Sequence, residues 1–360
     1  MIDLFCEKMP VSSMLRGLLE RCLSPDRLNT IFEENSRNQY TRNLFFSTVC
    51  HLLLHVVLRI HPSAHAAYQK HKENIPVSIT ALYDKLNGME LSVSSAMVRE
   101  IASDLSNVID ALNIQPHSWL PGYPIRILDG NCLEASEKRL KVHQGLRAAA
   151  LPGKSLVVLD PERRLIVDVF PCEDGHAQER SLLKAVLQTI LAGELWIADR
   201  NFCTLGFLLG IHEQNAYSLL RLHSKLPFLE LADFSQVALT EEAQWILEQP
   251  IEIDGRPYRR IRVELSKPTR DGDMYIDIIT NLPATVDAIT VAGLYRKRWT
   301  LETAFQHIEK HFNSEINTLV YPCAALFGFC LALVAYNIFS VMLASLDSAH
   351  EKPVSQEVSS

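Results

Sequence analysis

The order of short apolar runs between Ile125 and Leu222 constrains this chain more than any other feature of its sequence. Ile125–Leu128 is an apolar run that stops at Asp129-Gly130. Ser155–Leu159 and Leu165–Phe170 follow, separated by Asp160-Pro161-Glu162-Arg163, a turn-forming stretch that predicts a β-hairpin. Glu179–Leu191 has helical periodicity, Leu195–Ala198 is a second apolar run that stops at an acid, Asp199, and Leu205–His212 and Ala216–Leu222 read as helix and strand.

Three strands, a helix, a strand, a helix and a strand predict an α/β fold with an RNase H-like mixed sheet flanked by helices. The pattern begins after the Pro/Gly-rich stretch Pro116–Pro124. Before it, residues 1–115 read as a helical N-terminal domain whose pattern names no chemistry. Tyr40–Ile60 is apolar nearly all round, which predicts a buried helix, and Ser78 and Ser94 stand as N-caps ahead of Ala81–Leu86 and Met97–Leu112. The catalytic core is expected over 120–223 and 271–346, interrupted by a β-rich insertion over 224–270, with a polar tail over 347–360. Within the insertion Ile251–Ile253 and Arg259–Leu265 flank Asp254-Gly255, a hairpin signal. Tyr275–Thr280 predicts a further strand, and Val286–His311 one long helix. Cys323–Leu346 is long and apolar enough to weigh as a membrane span. Gly328, Asn337, Ser340 and Ser345 interrupt it and its flanks lack basic clusters, so a buried helix is expected.

Composition bounds the function. With 48% hydrophobic and 21% charged residues the chain has the makeup of a folded protein. The eight cysteines include no C-x-x-C pair, which argues against a zinc ribbon; with no secretory signal they predict reduced thiols in a cytoplasm. A formal charge of −7 sits awkwardly with nucleic-acid binding, so any such role must use local patches. Three basic clusters occur: Lys138, Arg139 and Lys141; Arg259, Arg260 and Arg262; Arg296, Lys297 and Arg298. No phosphate-binding lysine loop, serine nucleophile elbow or dinucleotide fingerprint is present.

Asp129 and Asp199 each follow an apolar strand, the edge at which open α/β sheets gather their sites. A third acid, Glu302, shares a helix face with Tyr295 and Arg298. Three carboxylates suit a pair of hard divalent cations, which can activate a nucleophile and stabilise a leaving oxygen on a phosphodiester. By spacing alone the structural reading ranks first: a turn residue or cap for Asp129 and Asp199, half of a helix ion pair for Glu302.

Tyr295-Arg296-Lys297-Arg298-Trp299-Thr300-Leu301-Glu302 resembles the helix signature of the IS-four-like family of bacterial insertion-sequence DDE transposases, which runs Y-xx-R-xxx-E-xxxxxx-K. Asp129-Gly130-Asn131 and Asp199-Arg200-Asn201-Phe202 resemble that family's first and second catalytic Asp motifs. The resemblance implies a DNA transposase that cleaves and transfers strands at the ends of an insertion sequence. It implies Asp129, Asp199 and Glu302 as ligands of two Mg²⁺ (Mn²⁺ substituting), Tyr295 and Arg298 as contacts to the DNA backbone, the N-terminal helices as a DNA-binding or dimerisation domain, and a homodimer or larger assembly on transposon ends and target in the bacterial cytoplasm. Helix geometry, apart from the resemblance, places Trp299 and Phe305 on neighbouring faces as core anchors. The signature lysine falls on Glu309; either Lys310, one residue further and rotated about 80° from Glu302, takes over the DNA contact, or the contact is lost and an acid faces the phosphate. A relative that binds DNA without cutting, and an unrelated glycosidase with two carboxylates across a sugar cleft, are the competing readings.

Other residues have simpler expectations. His51 with His55, and His61 with His65, have chelating i,i+4 spacing but are expected as core or interface histidines. Glu134 and Glu137 are expected as exposed acids, Asp160 and Asp168 as hairpin residues, and His176 carries little weight.

Overall fold

A mixed sheet of ten strands organises the chain, in the order β3-β2-β1-β4-β5-β10-β9-β8-β6, with β7 also paired to β8. The strands are β1 Ile125–Cys132, β2 Pro152–Asp160, β3 Leu165–Asp174, β4 Leu195–Ala198, β5 Tyr217–Arg221, β6 Leu229–Glu230, β7 Ser235–Leu239, β8 Trp245–Ile253, β9 Arg256–Glu264 and β10 Tyr275–Thr280. This is a computed structural model, and it describes residues 9–39, 41, 43–114, 117–133, 152–175, 177–239, 245–268, 272–319 and 321–350. Glu134, Glu137, Lys138, Arg139, Lys141, His176 and the tail from 351 lie outside the described residues.

β1, β4 and β5 run parallel, and the remaining pairs are antiparallel. The strand order read from the sequence appears in the chain as β1, β2, β3, then a 3₁₀ turn with the short helix α7 (Leu183–Leu187), β4, α8 (Leu205–Glu213) and β5. β1 outlasts its apolar run. Asp129 to Cys132 stay paired with Val157 to Lys154 of β2 after the parallel pairing to β4 has ended at Leu128. The segment expected as an insertion does not stand apart: β10 pairs β5 on one side and β9 on the other, so β6–β9 extend the same sheet. Asp254 and Gly255 turn β8 into β9, both in the left-handed region (φ 49° and 73°) that a two-residue hairpin loop needs.

Alternation along each strand divides the core between two faces. Ile125, Ile127, Leu195, Ile197 and Leu219 face one cluster; Leu128, Trp196, Ala198 and Leu220 face the other. The second face is covered by α7 and α8, with Tyr258 of β9 donating its hydroxyl hydrogen to the Leu208 carbonyl (3.2 Å). The first is covered by α1 (Pro10–Cys22), α2 (Pro25–Asn35), α3 (Phe46–Val57), α4 (Ala64–His71), α5 (Ile79–Asn87), α6 (Leu91–Ala111), α9 (Ala288–Arg296), α10 (Thr300–His311) and α11 (Pro322–His350). The helices before the sheet thus share one continuous apolar core with it. Ser78 caps α5 as expected, accepting from the Ala81 N–H. Ser94 does not cap α6: that helix starts at Leu91, and Ser94 is buried inside it with its hydroxyl on the Glu90 carbonyl.

α11 is long and apolar enough to cross a membrane, yet 83% of its most apolar window is buried against the rest of the protein. Its Asn337 explains the polar interruption. The side-chain amide accepts from the Ile166 N–H (2.7 Å) and donates to the Ile166 carbonyl (2.8 Å). β3 is the sheet's edge strand, and Asn337 satisfies backbone groups that would otherwise be buried without partners.

Candidate active site

The register of two parallel strands brings the first two acids together. Leu128 pairs with Ala198, so Asp129 and Asp199 are the next residues at the same sheet edge. Leu128 and Ala198 face the α7/α8 side, so alternation turns both acids to the opposite side, where α9 and α10 pack. Asp199 also serves as N-terminal residue of the 3₁₀ turn Arg200–Phe202.

Glu302 arrives from the first turn of α10, where a carboxylate also complements the positive end of the helix dipole. The expected continuous helix over Val286–His311 is broken: a 3₁₀ turn at Lys297–Trp299 separates α9 from α10. The turn tightens the chain and carries Arg298 inward, 8% exposed, while Trp299 is left 66% exposed rather than anchored in the core. Phe305 is packed against the core as expected.

Arg298 is the hub. Its Nη1 donates to Asp129 Oδ2 at 2.9 Å and its Nη2 to Glu302 Oε1 at 2.7 Å. The Nε of the same guanidinium is buried without a partner. Asp129 Oδ1 accepts the Gly130 N–H at 2.9 Å. Burial first, and the negative charges of Glu302 and Asp199 after it, push the Asp129 carboxyl up to about 6 from its ordinary 3.8, against the lowering effect of Arg298 and the Gly130 hydrogen bond. Tyr295 is buried beside Arg298 and Asp199; burial, then the Asp199 charge, raise its phenol and keep it protonated. The structure therefore gathers Asp129, Asp199, Glu302, Tyr295 and Arg298. Lys310 and Glu309 are exposed on α10, and Lys310 is about 12 Å along the helix axis from Glu302.

Glu179 was not singled out by sequence. It sits close enough to Gly130 that a Cβ there would fall 2.2 Å from its Oε1, and its Oε2 accepts from Asn201 Nδ2 at 2.6 Å. Nothing in its spacing marks it, because an acid opening a helical turn is ordinary. Arg180 Nε donates to the Asn201 carbonyl at 2.6 Å. Arg180, Arg200 and Lys225 together lower the His223 imidazole, after burial, so this part of the strand edge is cationic.

The other basic clusters are resolved differently. Arg259 pairs with Glu248 and donates to the Leu282, Pro283 and Val286 carbonyls, holding the loop that leads into α9. Arg260 and Arg262 both bind Asp277. Lys297 lies over the Trp119 ring (4.7 Å), and Arg296 is exposed. Asp160 and Asp168 serve structure: Asp160 pairs with Arg126 and accepts the Glu162 and Arg163 N–H groups of its turn, and Asp168 faces Arg99. A cavity of about 450 Å³ lined by Tyr123, Arg126, Asp160 and Glu162 lies at the opposite end of β1 from the carboxylates.

No curated protein matches the chain. Among solved structures it is similar to a cryo-EM structure of the piggyBac transposase synaptic complex with hairpin DNA, at 12% identity and a TM-score of 0.47, over 94% of this chain and 76% of that one. Residues 120–338, which contain every strand of the sheet and all three acids, match the family model of the transposase DDE domain, and the chain belongs to that family.

Proposed function

We propose that this chain is a DNA transposase of the IS-four-like type, cutting and rejoining DNA strands with Asp129, Asp199 and Glu302 as its catalytic carboxylates. The observation that carries the reading is the convergence of these acids, from β1, the end of β4 and α10, around one buried arginine. The strand order β3-β2-β1-β4-β5, with β1, β4 and β5 parallel, supports an RNase H-like core.

The donor set fits a hard divalent cation, Mg²⁺ in this reading: every ligand is a carboxylate oxygen, and the Glu302 side chain is 45% exposed. When bound, a pair of such ions supplies an activated water or 3′-hydroxyl and charge stabilisation of the leaving oxygen. The chain's own groups hold the geometry. Arg298 offsets the repulsion among the acids and fixes Asp129 against Glu302. The Gly130 N–H fixes the other Asp129 oxygen. Tyr295 stays neutral and offers a hydroxyl beside Asp199. Being buried at the carboxylates, Tyr295 and Arg298 meet the phosphate that is cut. Flanking phosphates fall to the exposed Arg296, Lys297, Lys225 and Lys310 and to Arg200. Local cations of this kind answer the overall charge of −7. The protein works in a bacterial cytoplasm as a dimer or larger assembly on paired ends.

A second reading, a relative that binds DNA without cutting, draws on one observation: the exposed Glu309 occupies the signature lysine's place on α10. Incubation with DNA carrying the repeats that flank its gene, in Mg²⁺, separates the two. Strand cleavage lost in Glu302→Gln supports the enzyme. Binding without cleavage supports the second reading. Neither binding nor cleavage would sink both.

A further inference from the structure

Three histidines that no sequence motif joins come together away from the carboxylates. His55 is near the end of α3, His61 lies in the turn that follows, and His71 is the last residue of α4. The ring centroids are 5.7 Å (His55–His61), 5.1 Å (His55–His71) and 5.9 Å (His61–His71) apart. One nitrogen from each lies within 4.8 Å of the others. His55 Nδ1 is sealed from solvent and has no hydrogen-bond partner, an arrangement that costs free energy unless something binds it.

The backbone builds the cluster. The Ile60 N–H returns to the His55 carbonyl (2.8 Å) and the Arg59 N–H to Val56 (3.0 Å), with Arg59 in the left-handed region at φ 59°. This closes α3 with a Schellman turn and folds His61 back beside His55. The i,i+4 pairs suggested by sequence are split instead. His51 is engaged with the Leu23 carbonyl (2.9 Å), and His65 is exposed, 3.4 Å from the Gln69 amide.

We infer that His55, His61 and His71 form a binding site for a borderline transition metal ion, Zn²⁺ above all, with a fourth position open to water. Three imidazoles without a carboxylate suit Zn²⁺, Cu²⁺ or Ni²⁺ rather than Mg²⁺. Nitrogen ligands of a tetrahedral zinc stand about 3.3 Å apart, so side-chain rotations closing the gaps by about 1.5 Å complete the site. The rings are half-buried, which leaves them room to turn and the ion a path of entry. Bound there, the ion ties together α3, its turn and α4. The same turn carries Arg59, whose guanidinium donates to the Glu309 (2.9 Å) and Phe312 (3.0 Å) carbonyls at the end of α10, and Asn313 donates to the Val57 carbonyl (2.8 Å). The metal thus braces the support on which the Glu302 helix ends.

The test uses the full chain without an affinity tag, dialysed against Zn²⁺ and assayed for bound metal. Wild type, Asp129→Asn and His65→Asn each retain about one Zn²⁺, and His61→Asn with His71→Asn binds at least about 100-fold more weakly. Co²⁺ in place of Zn²⁺ gives wild type the visible absorption of a nitrogen-liganded, low-coordinate site, a readout that needs neither activity nor a folded variant. Absence of stoichiometric Zn²⁺ in wild type, full retention in the double variant, or loss in Asp129→Asn would each overturn the assignment. Because Asp129→Asn removes a proposed catalytic ligand, failure of the transposase reading and failure of this one give different results.

Discussion

Two arginine–carboxylate clusters in this protein have the same ingredients and different balances. On β9 and β10, Asp277 is held by two guanidinium groups. Arg262 donates from Nε at 2.7 Å and from Nη2 at 2.9 Å, and Arg260 donates from Nε at 3.0 Å and also from Nη2. The cationic faces lie on aromatic rings, Arg262 3.9 Å from Tyr275 and 4.4 Å from Phe234, and Arg260 4.9 Å from Phe234. Arg260 also pairs with Glu230, so charges there are matched; at the carboxylate edge acids are in excess, with one guanidinium facing Asp129 and Glu302, Asp199 nearby, and its Nε unpaired. The first cluster is satisfied. The second is an excess of negative charge in a partly dry place, with one acid pushed up to about 6. Perturbed groups of this kind are enriched at functional sites, in keeping with the catalytic role proposed for these acids.

If the contrast is right, the two clusters respond differently to substitution. The largest effect is expected at the acids. Asp129→Asn, Asp199→Asn and Glu302→Gln each lower Mg²⁺-dependent strand cleavage on the order of 10³-fold or more, the scale of lost charge stabilisation in phosphoryl transfer. Their thermal unfolding moves little, because each removes a like-charge repulsion. A large loss of stability with cleavage intact would erase the distinction. Arg298→Ala comes next. It strands Asp129 and Glu302 together and costs about 3 kcal/mol in denaturant unfolding, most of it through Asp129, since the Glu302 side chain is 45% exposed. Asp277→Asn costs about 2 kcal/mol by removing the charge that pairs two half-buried guanidinium groups, of which Arg260 keeps Glu230 and Gln249, and leaves the cleavage rate per folded molecule unchanged. A changed rate there would mean that the sheet extension belongs to the site.

Acid titration sharpens the comparison further. A raised carboxyl means that between about pH 4 and 6 the folded chain keeps a proton the unfolded chain has lost. Asp129 therefore adds stability that is full below about pH 4 and disappears as pH rises through 6, on the order of 3 kcal/mol in all. Asp168, also pushed up to about 6 by burial despite the lowering effect of Arg99, contributes in the same direction. The Asp129 share is thus read as the difference in the pH-dependence of unfolding between wild type and Asp129→Asn, and a null difference refutes it. The smallest effect expected is at Glu309→Lys, which restores a cation to the exposed face of α10 and tightens binding to end DNA a few-fold, less at high salt, with no change in stability.

Much of the fold was legible because its signals are local. Tyr275–Thr280 is a strand with the bounds its apolar pattern gives, Asp254-Gly255 is the turn that pair of residues favours, and Ser78 caps its helix. Those features depend on residues within a few positions of one another. The bounds that moved were set by partners far along the chain. β1 runs on to Cys132 because β2 continues to pair it, and α6 starts ahead of Ser94, where the Glu90 carboxylate accepts the Arg37, Asn38 and Gln39 N–H groups; the exposure of Trp299 is local, set by the 3₁₀ turn that carries it.

By itself, then, the sequence determined which residue types stand at strand ends and on one helix turn, and so the candidate acids and the chemistry open to them. Tertiary structure alone decided that Arg298 bridges Asp129 and Glu302, that Glu179 lies against Gly130, that Asn337 completes the β3 edge and that His55, His61 and His71 share one space. The reason is physical. Strand and turn preferences act over a few bonds, whereas side-chain contacts depend on register and helix docking across as many as 253 residues of separation, as between Arg59 and Phe312.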